Sequence, residues 1–205
     1  MHRPVDILQG FNYQIDNWDH PDRWLERNIT SVRMLIDAGG GRRAVIADTQ
    51  TFAWPGKRLP TPAEVRNMNY GALVMGVSGV MMYTLSDPDG FYLPTASPPL
   101  WDELIEQAKE IQALSPLLLD GSWTPLDAGQ DHVHAAAWTK NARTLVIVVS
   151  TDRHASRRLR LALPAGGSGN LRPAFARYPS SLAVKESTLS GCLEPDSVHE
   201  LLSPE

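Results

Sequence analysis

The sequence predicts an α/β region followed by an all-β region, and two observations lead to this fold class. In residues 1–119, apolar strand-like segments alternate with helix-like segments, an order typical of βα units with a parallel sheet. In residues 120–205, short segments of alternating polarity are separated by Gly, Ser and Pro, as in an antiparallel β-sandwich. We therefore predict two domains, 1–119 and 120–205, with the boundary near residues 119–124.

The first region contains three predicted strands and three predicted helices. The strands lie at residues 5–13, 43–54 and 77–85, and the helices lie at 22–38, 62–75 and 100–114. The glycines at 39–41 offer the left-handed conformation with which many helices end. Thr61 followed by Pro62 and, three residues on, by Glu64 predicts a capping box at the start of the second helix. Pro116 is expected to end the third helix.

The second region reads as a series of short strands. Residues 133–138 and 144–151 flank a predicted hairpin turn at 140–143. A half-buried strand is indicated where basic and apolar residues alternate, at 158–163. Further short strands are predicted near residues 173–178, 182–187 and 198–202.

Composition restricts the class of protein. The 205 residues are 42% hydrophobic and 20% charged, which is enough apolar material for a core. The net charge of −4 argues against a nucleic-acid partner, since there is no basic excess to neutralise phosphates. No run approaches the roughly 20 apolar residues of a membrane span, and no apolar leader follows the first residue, so we expect no membrane contact and a cytoplasmic location.

We expect neither a metal nor a cofactor. The single cysteine, Cys192, excludes an internal disulfide and a cysteine zinc site. His132 and His134 would share one face of a strand, but no third ligand is evident near them. Paired surface histidines are the commoner explanation of that spacing.

Three segments of the first region carry a family resemblance. They are VDILQGFNY at 5–13, VIADTQTFAW at 45–54 and GVSGVMMY at 76–83. Residues 5–119 resemble the last part of a glycoside-hydrolase (β/α)8 barrel, with these segments similar to its sixth, seventh and eighth strands. The helix that ends at residues 108–116 looks like the last barrel helix, and residues 122–202 fit the small β-domain that commonly follows. The resemblance thus implies a partial barrel with a trailing β-sandwich.

A complete barrel needs eight strand–helix units and roughly 250 residues. Only about three such units are visible here, so the chain is similar to the C-terminal portion of a larger enzyme. Three parallel strands cannot close a barrel, and we expect two sheet edges and one sheet face to stay open. Either the chain associates with itself to cover them, or it is a marginal fragment.

Active sites of such barrels lie at the C-terminal ends of the strands. The residues there that suit sugar binding are aromatic side chains, whose flat faces pack on C–H groups, and amides, which bond paired hydroxyls. These candidate substrate-binding residues are Asn12, Tyr13, Gln50, Phe52, Trp54 and Tyr83. The alternative is that Phe52, Trp54 and Tyr83 pack beneath a loop.

Hydrolysis of a glycoside needs two carboxyl groups, and the candidates are Asp16, Asp48 and Asp87. The resemblance implies a nucleophilic glutamate at the end of the seventh strand, where this chain has Gln50, and an acid/base on a fourth strand that the chain lacks. Asp48 points to the same sheet face as Gln50, although a buried structural aspartate is an alternative. Asp16 and Asp87 are loop acids for which turn formation is the alternative, as it is for Asp89.

The leading functional hypothesis is a carbohydrate-active hydrolase that acts on O-glycosidic bonds, reduced to its late barrel strands and β-domain. The alternative is a non-catalytic carbohydrate-binding or structural module, which the glutamine at position 50 favours. A third hypothesis is an enzyme whose barrel is completed by further copies of the chain. The expected partner in the first two cases is an oligosaccharide or a glycoside.

Overall fold

A computed structural model describes residues 6–17, 20–41, 43–164 and 170–204. The chain divides into two compact units, Met1–Glu106 and Gln107–Glu205, and one long helix runs through the division. The predicted boundary at residue 119 lies further along the chain, near the end of that helix. Val5, with which the first predicted strand begins, lies outside the described residues.

The first unit begins with alternating strands and helices, as predicted. Its elements, together with the helix that crosses into the second unit, are β1 (Ile7–Asn12), α1 (Trp24–Gly39), β2 (Ala44–Gln50), α2 (Pro62–Val74), β3 (Gly79–Tyr83), α3 (Leu93–Ala96) and α4 (Pro98–Asp120). The three strands form one sheet in the order β1-β2-β3. Ile7 pairs with Ala44 and Ile46 pairs with Gly79, both in parallel register, which confirms the predicted parallel pairing.

Helices α1 and α2 pack on the same face of this sheet. Val32 of α1 and Ala72 of α2 belong to one buried cluster with Ala47 of β2. Helix α1 lies so close to β1 that a Cβ atom at Gly10 would be 2.1 Å from Cδ1 of Leu35. Only glycine therefore fits at this point of β1 unless Leu35 moves.

The opposite face of the sheet carries exposed apolar side chains. Strand register places Ile7, Phe11, Met81 and Tyr83 on this side, and each of the four is exposed. We call these four residues the open face. One face of the sheet was expected to stay open, because three strands cannot close a barrel, and these exposed side chains agree with that expectation.

Local signals at the helix ends have the predicted effect. Thr61 Oγ1 accepts from the Glu64 amide at 3.2 Å, and the Thr61 amide donates to Glu64 Oε2 at 2.8 Å. Both bonds of the capping box are thus present at the start of α2. Gly40, with a φ of +62°, ends α1 in the left-handed conformation.

Pro116 does not end the last helix, which is a correction to the prediction. The helix α4 continues through Pro116 to Asp120. Proline lacks the N–H that would bond the carbonyl four residues earlier, which belongs to Gln112. The Ser115 hydroxyl donates to that same carbonyl at 2.8 Å. Since the acceptor is satisfied, the helix tolerates the proline.

The second unit adds eight strands after α4. They are β4 (Ser122–Leu126), β5 (Val133–Lys140), β6 (Arg143–Ser150), β7 (Arg157–Ala162), β8 (Arg172–Pro173), β9 (Ala183–Lys185), β10 (Thr188–Leu193) and β11 (Val198–Leu202). One sheet has the order β4-β5-β6-β11-β8 and the other has the order β7-β10-β9. The strand pairs described in both sheets are antiparallel, as predicted. Leu159 and Leu189 of one sheet share a buried cluster with Val146, Val148 and Leu201 of the other.

Several strand predictions in this unit differ from the structure. The segment expected near 173–178 is reduced to Arg172–Pro173, and β4 lies partly where a domain boundary was expected. Strand β10 was missed, and it follows β9 through Glu186 and Ser187, whose φ angles are +49° and +60°. That left-handed pair makes a hairpin turn without the glycine or asparagine that usually announces one.

Among the described residues, no helix is both long enough and apolar enough to cross a membrane.

Candidate functional site

A pocket of about 540 Å³ lies in the first unit at the C-terminal ends of the three parallel strands. Tyr13 follows β1, Phe52 and Trp54 follow β2, and Tyr83 is the last residue of β3. These four rings line the pocket together with Ala53, Leu59, Thr84, Asp87, Phe91 and Ala96. We call this the aromatic pocket.

Tyr13 is at the centre of the ring contacts. Its ring stacks on Tyr83 with centroids 5.7 Å apart and an interplanar angle of 26°. The edge-on partner Phe52 is 5.1 Å away, and Trp54 is 6.5 Å away. Phe52 in turn packs edge-on against Trp54 at 5.0 Å. Such offset and edge-to-face contacts are favourable, so the position of Tyr13 influences the other three rings.

The hydroxyl of Tyr13 donates to a buried carboxyl group. Asp48 Oδ2 accepts from Tyr13 Oη at 3.0 Å and from Gln9 Nε2 at 3.2 Å. Burial raises the pKa of Asp48 above its ordinary value, although the hydrogen bonds from Tyr13 and Gln9 act to lower it. Burial also raises the pKa of Tyr13 above its usual range, and the bond to Asp48 raises it further. The phenol therefore stays protonated at neutral pH and remains a donor.

Gln50, a predicted substrate-binding residue, is fully buried and is not part of the pocket wall. Its Oε1 accepts from the Ile15 amide at 2.9 Å, and its Nε2 donates to the carbonyls of Ile15 at 3.1 Å and Phe52 at 2.9 Å. These bonds fix the chain that follows β1 against the end of β2. The side-chain amide of Gln50 is thus used to hold the backbone.

Two predicted acidic residues accept hydrogen bonds from backbone amides, Asp16 from a distant segment and Asp87 within its own turn. Asp16 Oδ2 accepts from the Arg58 amide at 3.0 Å, and its Oδ1 lies 3.6 Å from Lys57 Nζ. Asp87 lines the aromatic pocket, and its Oδ1 accepts from the amides of Asp89 at 2.9 Å and Phe91 at 3.0 Å. Asp16, Asp48 and Asp87 are therefore held by three different sets of protein groups.

Asn12, the remaining predicted binding residue, lies on the helix-covered face of β1, in register with Thr49. It is fully buried, and within the described part of the chain neither atom of its side-chain amide has a hydrogen-bond partner. The structure thus brings together Tyr13, Phe52, Trp54 and Tyr83 with Asp87. It leaves Asn12, Asp16 and Gln50 outside the pocket wall and connects Asp48 to the pocket through Tyr13.

Some residues of the site were missed in the sequence. Leu59 and Phe91 line the pocket from irregular segments, where no periodic pattern points to them. Gln9, which shares Asp48 with Tyr13, could have been found from strand parity. It lies two residues before Phe11 and four before Tyr13, so all three point to one side of an extended chain.

In the described ranges, no three His, Cys, Asp or Glu side chains come close enough together to hold a metal ion.

In α/β proteins, ligands commonly bind beyond the C-terminal ends of parallel strands, which is where this pocket lies. Comparison with solved structures shows that the chain is similar in fold to α-amylases. An α-amylase from Anoxybacillus matches with a TM-score of 0.59 and 14% identity, over 88% of this chain and 46% of that one.

An α-amylase from Geobacillus thermoleovorans, in complex with acarbose, matches with a TM-score of 0.57 and 16% identity, over 89% of this chain and 43% of that one. A variant of AmyP in complex with maltotriose matches with a TM-score of 0.53 and 11% identity, over 96% and 51%. This chain therefore spans about half or less of the length of these proteins. No family model and no curated protein matches the sequence.

Proposed function

We propose that this chain is a carbohydrate-binding protein of glycoside-hydrolase architecture, and that an oligosaccharide binds in the aromatic pocket. The observation that carries the proposal is the convergence of Tyr13, Phe52, Trp54 and Tyr83 on one pocket at the ends of three parallel strands. In this proposal β1, β2 and β3 correspond to late strands of a (β/α)8 barrel. The two antiparallel sheets of the second unit correspond to the β-sandwich that follows it.

The chemistry of the pocket suits a neutral sugar. Aromatic faces pack against the C–H side of a pyranose ring, and burial of that apolar surface favours binding. Asp87 and the backbone around it supply polar groups for hydroxyls at the same wall. The structural neighbours with acarbose and maltotriose point to an α-glucan oligosaccharide, so maltotriose is the first ligand to test.

Calorimetric titration of the chain with maltotriose tests the proposal. Tyr83→Ala removes a half-exposed ring from the pocket wall, and we expect affinity to fall about tenfold, since an aromatic contact of about 1.4 kcal/mol corresponds to that factor. Tyr92→Ala is the matched control, because Tyr92 is equally exposed, at 49%, and is not in the pocket wall. Equal affinity of the two variants, or no binding by the native chain across a panel of oligosaccharides, would contradict the proposal.

Hydrolysis of O-glycosidic bonds is a second candidate function, favoured by two carboxyl groups at the site. Asp87 lines the pocket, and Asp48 contacts it through Tyr13. Retaining enzymes use carboxyl groups about 5 Å apart, and inverting enzymes use a separation of up to about 9.5 Å. Gln50 cannot act as the nucleophile that the family resemblance would place there.

Release of a chromogenic phenol from a panel of aryl glycosides tests hydrolysis. If the chain is a hydrolase, we expect turnover that Asp87→Asn lowers by at least about a hundredfold, the lower range for loss of a catalytic acid or base. Inactivity across the whole panel would remove the second candidate. It would leave saccharide binding as the function.

A further inference from the structure

We propose that Asp48 is a positioning residue, which holds the ring of Tyr13 in the wall of the aromatic pocket. This inference rests on the proposed saccharide-binding function. Its basis is the hydrogen bond of 3.0 Å from Tyr13 Oη to Asp48 Oδ2. Asp48 is 1% exposed and does not line the pocket, whereas Tyr13 does.

Tyr13 needs a tether because it lies beyond the end of β1. The last paired residue of β1 is Asn12, which is opposite Thr49, so the described strand pairing does not extend to Tyr13. Without a hydrogen bond, a ring on an irregular segment has several rotamers, and the side-chain entropy lost when a ligand orders it would lower the affinity. The Asp48 carboxyl group removes this freedom before the ligand arrives.

Two alternate residues of β2 act together on this segment. Asp48 and Gln50 point to the same face of the sheet, since side chains alternate along a strand. Gln50 holds the main chain of Ile15 by two hydrogen bonds, and Asp48 holds the side chain of Tyr13. The path of the segment and the orientation of its ring are therefore both set by β2.

Gln9 donates to the same carboxyl group. Its Nε2 donates to Asp48 Oδ2 at 3.2 Å, so one oxygen of Asp48 receives two donors. This arrangement needs an acceptor oxygen at position 48 and does not need a negative charge. Asparagine, whose amide oxygen has two lone pairs, has the shape to replace aspartate here.

Four variants test the role by calorimetry with maltotriose. We expect Asp48→Ala and Tyr13→Phe each to lower affinity about fivefold, since each removes the same hydrogen bond, and the double variant to lose no more than either. Asp48→Asn is the conservative rescue, and we expect its affinity to stay within about twofold of the native value. Thermal unfolding of each variant shows whether it is folded at the titration temperature.

The outcomes separate this inference from the proposed function. If the native chain binds saccharide but Asp48→Ala and Tyr13→Phe bind equally well, Asp48 does not position the ring and the inference is wrong. It is also overturned if the chain hydrolyses glycosides and Asp48→Asn binds but does not turn over, because Asp48 is then catalytic. If the native chain binds no saccharide, the proposed function fails. In that case a double-mutant cycle, built from the unfolding free energies of the same variants, shows whether Tyr13 and Asp48 interact in the absence of ligand. Additive decreases in stability would contradict that interaction.

Discussion

His199, on β11, is a buried titratable residue of the second unit. Its Nδ1 lies 2.8 Å from Ser180 Oγ and its Nε2 lies 3.2 Å from Ser197 Oγ. Burial lowers the pKa of His199 below its ordinary value, and the charge of Glu194 opposes this without reversing it. The folded state therefore favours the neutral imidazole, which two hydroxyl groups can satisfy.

This residue predicts a pH dependence of stability. In the unfolded chain the histidine binds a proton near its ordinary pKa of about 6.5, whereas in the folded chain it does so at lower pH. The stabilisation is thus fully present above about pH 6.5 and is lost as the pH falls through the folded pKa. Urea unfolding between pH 5 and pH 8 measures the slope, and we expect His199→Gln to flatten it. A slope that the variant leaves unchanged would assign the effect to another group.

For single residues, the sequence predicts which residue types lie at the strand ends better than it predicts their hydrogen-bond partners. Strand parity correctly groups Asp48 with Gln50, and the aromatic residues at strand ends do meet in one pocket. Strand parity does not reveal that Gln50 bonds the main chain of Ile15, because that contact depends on how the segment after β1 folds back. The alternation of residues within one strand does not predict the path of the segment that follows another strand.

Among the elements, helix α2 begins with a complete capping box. The capping box of Thr61 and Glu64 satisfies two donors at its N-terminus, and Glu64 also accepts from Arg58 at 2.6 and 2.8 Å. The Arg58 contacts would remain after a change at position 61. The loss caused by such a change would therefore report on the cap itself.

We expect Thr61→Ala to lower the free energy of unfolding by about 1 kcal/mol, as is typical when an N-cap is removed. Thr30→Ala is the control, because Thr30 is exposed within α1 and its hydroxyl donates to the Glu26 carbonyl in the preceding turn. That change should alter stability by less than about 0.5 kcal/mol. Chemical denaturation of both variants makes the comparison, and equal losses would show that the box contributes nothing specific.

Element ends were predictable where the signal is local and chemical. Thr61 with Glu64, and Gly40 after α1, act through neighbouring residues in the chain, so the sequence shows them directly. The turn at Glu186 and Ser187 has a positive φ at two residue types that rarely adopt it, and it connects β9 to β10, which pair antiparallel. Pro116 does not end α4, because the Ser115 hydroxyl satisfies the Gln112 carbonyl that the proline leaves without a donor.

For the whole molecule, the order of strand-like and helix-like segments in the sequence predicts the type of each sheet. Alternation of strands and helices predicts the parallel sheet of the first unit, and short strands with turns predict the antiparallel sheets of the second. The pocket wall was only partly foreseen, because Leu59 and Phe91 reach it from irregular segments. The sequence pattern therefore predicts the strands, the helices and the strand-end residues, whereas the loop residues of the pocket depend on tertiary contacts.

Self-association through the open face stays a prediction at this scale. Phe11 and Met34 are almost equally exposed, at 68% and 67%, but only Phe11 belongs to the open face. If copies of the chain cover that face, Phe11→Ser should weaken association at least about tenfold, since each buried phenylalanine contributes more than about 1.4 kcal/mol. Met34→Ser should have little effect. Sedimentation velocity measures both variants, and a monomeric native chain at micromolar concentration would contradict self-association.

The two hydrogen bonds between Gln50 and Ile15 have a consequence for engineering. They involve the main-chain amide and carbonyl of Ile15, so they fix the path of this segment whichever side chains it carries. Position 14, whose side chain donates to Ser31 Oγ and takes no part in these bonds, is then a natural site for a randomised library. Variation there would leave both bonds between Gln50 and Ile15 in place.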